Sequence, residues 1–569
     1  MPYIQGRDRN QMMMCSMDSF VAEDSIARLI DAFIDSLDLS AIGINKTESS
    51  SEGRPAYDPR ILLKLYVYGY ESGTRSSRKL MTLCQLNLEA KWLMNGLEPD
   101  FRTISDFRKE NIKSMKKVFH EFNRRISGAV QWGFTSVDGS KFQASNSKDN
   151  NFTKNKLDDR IKWLDAHTDE YIRLLEENDD NEELFGELTR EELERKLAEA
   201  QERLKRYEGY RELMEQTGAS QLSIVDADAR LMKNKNGFTV SYNPQTAVDS
   251  ETHLIRDYQM TNRVTDHGLL HSTMEGIAAD ETGGVVEAVA DKGYENADDM
   301  INCLENGIIP HVITDDGKDY YDLEVTYQES TADATSVVPE ELKKCLHSGI
   351  IPEAYKDVIP EMKVQEVRRL VKDEEPMAAA EKSLYGTSEE MQKRAKEGYF
   401  VRDPERNLVY CPAGEVLRQK CIKANGNIRY ANKNACRHCK HRDKCYKGKN
   451  EWKEIDFTKD KLEKPSKDWL KAEGRSEEIE RGVPRKGHWE KIKVVRLKLK
   501  PDKQKMSQRL NISEHPFGTI KRTLGSDHFL LRGLEKVGGE FALMCMGYNL
   551  KRSKSLLGFE AMMNVMVKA

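Results

Sequence analysis

Two short apolar runs, GFTSVD (133–138) and VVEAVAD (285–291), each end in a single aspartate that is followed within two residues by a glycine. Their β-branched residues and period-two patterning read as strands. An aspartate inside a strand is disfavoured, and buried without a partner it is costly. Taken alone, Asp138 reads as a turn or cap residue. The matched pair changes that reading, because ligands and catalysis gather outside the carboxyl ends of strands in α/β sheets. Asp138 and Asp291 are therefore placed to share one divalent cation, or to bridge two ions about 3.5–4 Å apart. Magnesium suits them, since it takes hard oxygen ligands and keeps water for exchange. Gly139 and Gly293 let backbone or substrate come close.

The rest of the chain is arranged around those two runs. At 569 residues it is long enough for three or four folding units. Residues 1–125 read as helical: DPRILLKLYVYGY puts Asp58 at a cap and Pro59 at the first helical position. Such short helices rich in Arg and Lys suit a DNA-binding or dimerising module, or a plain bundle. Residues 126–154 carry the first strand of a core. Within 155–216, Leu157, Ile161, Leu164, Thr168, Tyr171 and Leu175 alternate spacings of four and three, as do Leu193, Leu197, Ala200, Leu204 and Tyr207. TREE (189–192) forms a capping box, and the segment is expected to be an antiparallel helical hairpin with a narrow apolar seam, structural or a partner surface. Residues 217–314 alternate strands and helices, which points to an α/β sheet covered by helices, interrupted by the hairpin just after its first strand. A long insertion at 315–500 holds most of the cysteines, and 501–569 returns to helices.

Charge is segregated along the chain. Residues 154–216 hold 12 basic and 20 acidic residues, a net of −8. Residues 418–449 hold 11 basic and one acidic, and 485–522 hold 12 basic and 3 acidic, nets of +10 and +9. Two basic blocks of that density form a footprint for a polyanion, against the plainer reading of solvated surface. With 38% hydrophobic and 33% charged residues, no run approaches the roughly 20 apolar residues of a membrane span. The start, MPYIQGRDRNQ, has no apolar signal core, so the cytoplasm is the expected compartment and no membrane partner is expected. Ten cysteines in a reducing compartment read as thiols or metal ligands.

A third acid is offered by NISEHPFGTIKR, where Ser513 is expected to cap a helix whose first turn holds Glu514, His515 and Pro516. Lys521 follows Glu514 by two turns, on nearly the same face, a pairing that suits phosphoryl transfer. Glu540 is the second choice, in an apolar helical run that favours a structural role. CRHCKHRDKC supplies Cys436, Cys439 and Cys445, and Cys411 opens CPAGE upstream. Four thiolates can hold one tetrahedral structural zinc, with His438, His441 and Cys421 as substitutes; a reduced, metal-free loop is the plainer reading. Asp226 and Asp228 in VDADARLM serve the active site or DNA, or form an exposed turn, and Asn262 and Asp266 are expected to cap the next helix.

Over nearly its whole length the chain resembles bacterial insertion-sequence transposases of the DDE type, specifically the eleven-eighty-two group, related to the IS-four and IS-five types. The resemblance rests on TSVDGSKFQASNSK, VDADARLMKNKNGFTVSYNPQTAVD, AVADKGYEN, EHPFGTIKR with HFLLRGLEKVGGEFALMCMGYNLKR, and GRPAYDPRILLKLYVYGY. It implies an RNase H-like α/β core, a mixed sheet flanked by helices, joined to a helical amino-terminal domain, the hairpin and a zinc-ribbon-like insertion. It also implies catalytic acids at Asp138, Asp291 and Glu514 and two magnesium ions, replaceable by manganese. Lys521, Arg522 and Arg509 would bind DNA phosphate, although Arg509 stands one residue off the family's Tyr-Arg-Glu-Lys spacing and Met506 occupies the Tyr position. The implied activity is cleavage at element ends and strand transfer, acting on double-stranded terminal repeats and target DNA, by a homodimer or larger synaptic assembly at the nucleoid. The rival readings are an RNase H-like nuclease without strand transfer and a non-catalytic zinc-containing DNA-binding regulator.

Overall fold

The computed structural model describes residues 10, 12, 14–47, 55–180, 190–234, 237–280, 284–313, 318–330, 332–372, 388–423, 427–446, 451–458, 461–474 and 487–567. The chain divides into two compact units, Met1–Gln365 with Val494–Ala569, and Glu366–Lys493.

The first unit is built on a five-stranded mixed sheet: β1 (Thr135–Gly139), β2 (Gln245–Asp249), β3 (Ile255–Gln259), β4 (Val286–Ala290) and β5 (Ile308–Val312). Their spatial order is β5-β4-β1-β2-β3. β1 runs antiparallel to β2 and parallel to β4, and β5 runs parallel to β4. The run GFTVSYNPQTAVD divides at Asn243-Pro244, because Pro cannot donate to a ladder. Its first half, Gly237–Tyr242, pairs instead with Arg230–Asn234 and Phe142–Gln143. The second half is β2, which pairs with β3 as an antiparallel hairpin.

Helices cover both faces. One face packs Val137, Ala247 and Ala288 against Leu270 and Met274 of α1 (Leu270–Asp280) and Ile301 and Leu304 of α2 (Ala297–Glu305). Val248 and Tyr258 belong to the opposite core, with Ile512 of α3 (Lys503–Gly518) and Phe541 of α4 (Leu534–Leu557). Both faces of β1 are covered before its aspartate: Thr135, Ser136 and Val137 are all fully buried.

The amino-terminal helices join that second core. Asp58 accepts from the Arg60 amide at 2.8 Å and caps the helix Pro59–Glu71, which is buried on nearly every side. It packs on α4 so closely that a Cβ on Gly547 would stand 3.1 Å from the Glu71 backbone. The buried Glu540 carboxylate of α4 accepts from the Leu530 and Leu531 amides and pairs with Arg75 at 3.4 Å. Glu540 is thus a structural acid that ties helix, loop and amino-terminal segment together.

Helices Lys154–Asp180 and Arg190–Thr217 lie against each other, burying Leu157, Ile161, Leu164, Leu193 and Ala200. Thr189 of the expected capping box lies outside the described residues. Within the first unit, the strand Tyr321–Thr326 pairs with Val494–Leu499.

The second unit carries a six-stranded antiparallel sheet, in order Glu454–Phe457, Ile428–Ala431, Val416–Ile422, Leu408–Tyr410, Tyr399–Asp403 and Glu463–Pro465. Phe400, Val409, Leu417, Tyr430 and Phe457 form its small core, to which Cys411 belongs. Among the described residues, no helix is long and apolar enough to cross a membrane.

Candidate active site

Parallel pairing brings the two strand-end aspartates to one edge of the sheet. Thr135 lies beside Ala288 and Ser136 beside Val289, so Asp138 and Asp291 leave the sheet from neighbouring strands at the same end. Asp138 Oδ1 accepts from the Gly139 amide at 2.8 Å. Asp291 caps the turn Lys292–Tyr294, its Oδ1 accepting from the Gly293 amide at 2.8 Å. Burial raises Asp138 to about 6, against the lowering effect of Arg509 and with a further raising contribution from the Asp291 charge.

α3 closes over Asp138. Asp502, not Ser513, caps this helix, accepting from the Gln504 amide at 2.8 Å and the Lys505 amide at 3.1 Å. Ser513 and Glu514 therefore sit well inside a helix rather than at its start, because the better cap lies further upstream. Pro516, expected in a first turn, is near the carboxyl end, where the chain passes into a π-helical stretch at Thr519–Thr523. A proline there removes one helical hydrogen bond and crowds the preceding turn.

The start of α3 is pinned to the sheet. The Asp502 amide donates to His311 Nδ1 on β5 at 3.0 Å, so Nε2 carries the hydrogen that faces Glu287 on β4, 2.9 Å away. Lys505 also bonds Glu287. From this anchor, residues four apart on α3 reach Asp138: Arg509 Nη1 stands 3.5 Å and Ser513 Oγ 3.1 Å from its Oδ2. Lys521 Nζ donates to Ser140 Oγ at 2.6 Å and to the Lys141 carbonyl at 2.8 Å, and lies over the Phe142 ring. It thus holds the loop that follows Asp138. Glu514 and Arg522 are exposed. Among the described residues, no three His, Cys, Asp or Glu side chains are grouped to hold a metal ion.

The sequence missed the support behind these acids. Asp266 caps no helix. Its Oδ1 accepts from Asn243 at 2.6 Å and Gln245 at 2.9 Å, and Lys141 Nζ lies 3.4 Å away. α1 is capped by Asp299 instead, whose Oδ2 accepts from the Leu270 amide at 2.9 Å. Asn262 donates to the Asp228 carbonyl at 2.9 Å and does not cap α1 either. Asp226 and Asp228 serve the start of α4: Asp226 Oδ1 accepts from Tyr242 at 2.7 Å and the Gly533 amide at 3.1 Å, and Asp228 Oδ2 from the Leu534 amide at 2.7 Å. Carboxylates there complement the partial positive charge of the helix end. VDAD is therefore a structural capping motif, neither an exposed turn nor part of the aspartate site.

In the second unit, Cys411, Cys436, Cys439 and Cys445 all line one small apolar cavity with Phe400 and Trp452. Cys421 is exposed on its strand, His438 bonds the Asn434 carbonyl at 3.0 Å, and His441 stands against the Trp469 ring. Burial pushes the Cys411 thiol up to about 11.

Three family models match the chain. Residues 15–110 match one described as "Transposase domain (DUF772)", and residues 215–400 and 410–553 each match one described as "Transposase DDE domain". No curated protein matches. A mixed α/β core under two such domains defines a DNA transposase. The chain belongs to the insertion-sequence transposases of the DDE type. Asp291, Glu514 and the four cysteines lie inside the matched segments; Asp138 lies outside them, in 111–214.

The pinning of α3 predicts a pH signature. The His311 hydrogen bond, then Lys505, hold Glu287 down to about 2, so its contribution to stability is present above the ordinary glutamate range and lost as pH falls toward about 2. Glu287→Gln is expected to lower the thermal midpoint at pH 7, with the difference from wild type shrinking between the ordinary glutamate range and about pH 2. A difference that is constant across acid titration would contradict this account of the anchor.

Proposed function

We propose that Asp138, Asp291 and Glu514 form the catalytic centre of this transposase, within an RNase H-like core of the eleven-eighty-two group. The observation that carries the reading is the emergence of two aspartates from adjacent parallel strands at one sheet edge, one of them with its pKa raised to about 6 partly by the other's charge. Hard oxygen donors whose negative charges face each other fit a divalent cation, and DDE transposases generally use such ions. Bound there, magnesium or manganese supplies an activated water and charge neutralisation at the scissile phosphate.

The remaining work falls to the chain's own side chains. Arg509 and Ser513 keep Asp138 facing α3 before DNA arrives. Lys521 and Arg522 add positive charge beside the incoming phosphate, and Glu514 completes the acidic set when the helix meets DNA. The basic blocks supply salt-sensitive affinity for the phosphate backbone. The reaction is release of a 3′-hydroxyl at the element end, followed by in-line attack of that hydroxyl on target DNA. Holding both ends calls for a homodimer or larger assembly.

Labelled duplexes carrying the DNA that flanks this reading frame, incubated with magnesium, test the reading. Wild type is expected to cut at a defined end and to give joined products. Asp138→Ala and Asp291→Ala should each lose more than about a hundredfold in cleavage, beyond what loss of an outer-shell partner produces, with end binding retained. Cuts without joined products would make the protein a nuclease, and binding with no cuts would make it a regulator.

The four thiols around one cavity support a structural zinc, which would draw Cys411, Cys436, Cys439 and Cys445 into a tetrahedral set and staple a unit with a small core. Thiol modification of purified protein should release about one zinc per chain, the stoichiometry of a four-coordinate site, and Cys436→Ser should abolish that release and lower the thermal midpoint. Zinc-free protein from zinc-replete cells, with an unchanged midpoint in the variant, would leave the cysteines as a reduced cluster.

A further inference from the structure

Between the loops that follow Asp138 and Asp291 lies a third carboxylate, that of Asp266. Its Oδ1 takes three donors, Asn243 at 2.6 Å, Gln245 at 2.9 Å and the more distant Lys141 at 3.4 Å. Asn243 and Gln245 are fully buried. Gln245 in turn accepts, through Oε1, from the hydroxyl of buried Tyr294. Tyr294 ends the turn that Asp291 caps. Lys141 stands three residues beyond Asp138. The network therefore has one arm in each aspartate's loop.

The glycines show how tightly the network fills its space. Gly139 faces Gln245 across the β1–β2 ladder. A Cβ on Gly139 would stand 2.3 Å from Gln245 Nε2 and 2.9 Å from Asp266 Oδ1. A Cβ on Gly293 would stand 2.9 Å from Asp291 Oδ1 and 4.0 Å from Asp266 Cβ. The space at Gly139 is thus filled by the side chains packed behind it, and Asp266 lies within 4.0 Å of a Cβ at either glycine.

We propose that Asp266 is a positioning residue that sets the spacing of the Asp138 and Asp291 carboxylates for their metal, through Gln245 and Tyr294 on one side and Lys141 on the other. The inference rests on the reading of those two aspartates as metal ligands. An oxygen already committed to three donors acts by holding its neighbours, and a group that orients ligands is typically worth about 10–100-fold in metal affinity.

The test is a manganese titration of the full-length chain, followed by the paramagnetic resonance of the free ion, alongside thermal melting. Wild type should bind manganese and Asp138→Ala should not. Asp266→Ala should bind at least about tenfold more weakly, and Asp266→Asn, which keeps an oxygen for Asn243 and Gln245, should recover part of that loss. Tyr294→Phe keeps the packing but cuts the link to Gln245, so it should weaken manganese binding with little change in melting and carries the test if Asp266→Ala does not fold. Folded Asp266→Ala or Tyr294→Phe protein with the wild-type manganese midpoint would overturn the proposal. No manganese binding by wild type, or unimpaired binding by Asp138→Ala, would instead overturn the metal reading on which it stands.

Discussion

The parallel pairing of β1 with β4 is the contact on which the site depends. A strand has a side-chain period of two, so a slip of one residue in that register would turn Asp138 to the opposite face and away from Asp291. The register is set by apolar side chains on the two faces of the sheet. Val137 and Ala288 are buried under α1 and α2, while Val248 faces α3 and α4, and neither face tolerates the exchange. Packing on both faces of the sheet is thus what allows two like charges to emerge side by side.

Such a pair is costly without a cation, and the fold offsets the cost locally. The guanidinium of Arg509, the hydroxyl of Ser513 and the Gly139 amide all face Asp138. Two of the three come from α3, so the helix's own anchor matters: Glu287 on β4, the strand beside β1, and His311 on β5, the next strand out, fix its first turn through the Asp502 amide and Lys505. Sheet, helix start and aspartate form one mechanically continuous path. Lys521, at the far end of the same segment, closes it by holding the Ser140 and Lys141 loop.

Local signals carried much of this architecture. GFTSVD and VVEAVAD read as strands ending in acids because β-branched residues and period-two patterning act locally. Asp58-Pro59 marked a helix start because a cap and a first-turn proline act within three residues. The C-x2-C-x5-C array, read as a zinc ligand set, lines one cavity with Cys411, but no metal-ligand group is formed among the described residues. What could not be read were partners distant in sequence. Asp226 and Asp228 cap a helix that begins more than three hundred residues later. Asp266 reads as a helix cap, yet its partners are Gln245 on β2, Asn243 just before it and Lys141 in the loop after β1, and Asp299 does the capping. Ser513 had the right composition for a cap, but Asp502 upstream had already started the helix. In each case a short polar side chain had several local uses, and tertiary contact chose among them.

The central claim is that this sheet edge is where a divalent ion and DNA phosphate meet. The most direct measurement is anomalous scattering from crystals of the full chain soaked with manganese. The account predicts an anomalous peak bonded to both Asp138 and Asp291. A manganese-bound crystal with no peak between them, or with its only peak at other carboxylates, would contradict it.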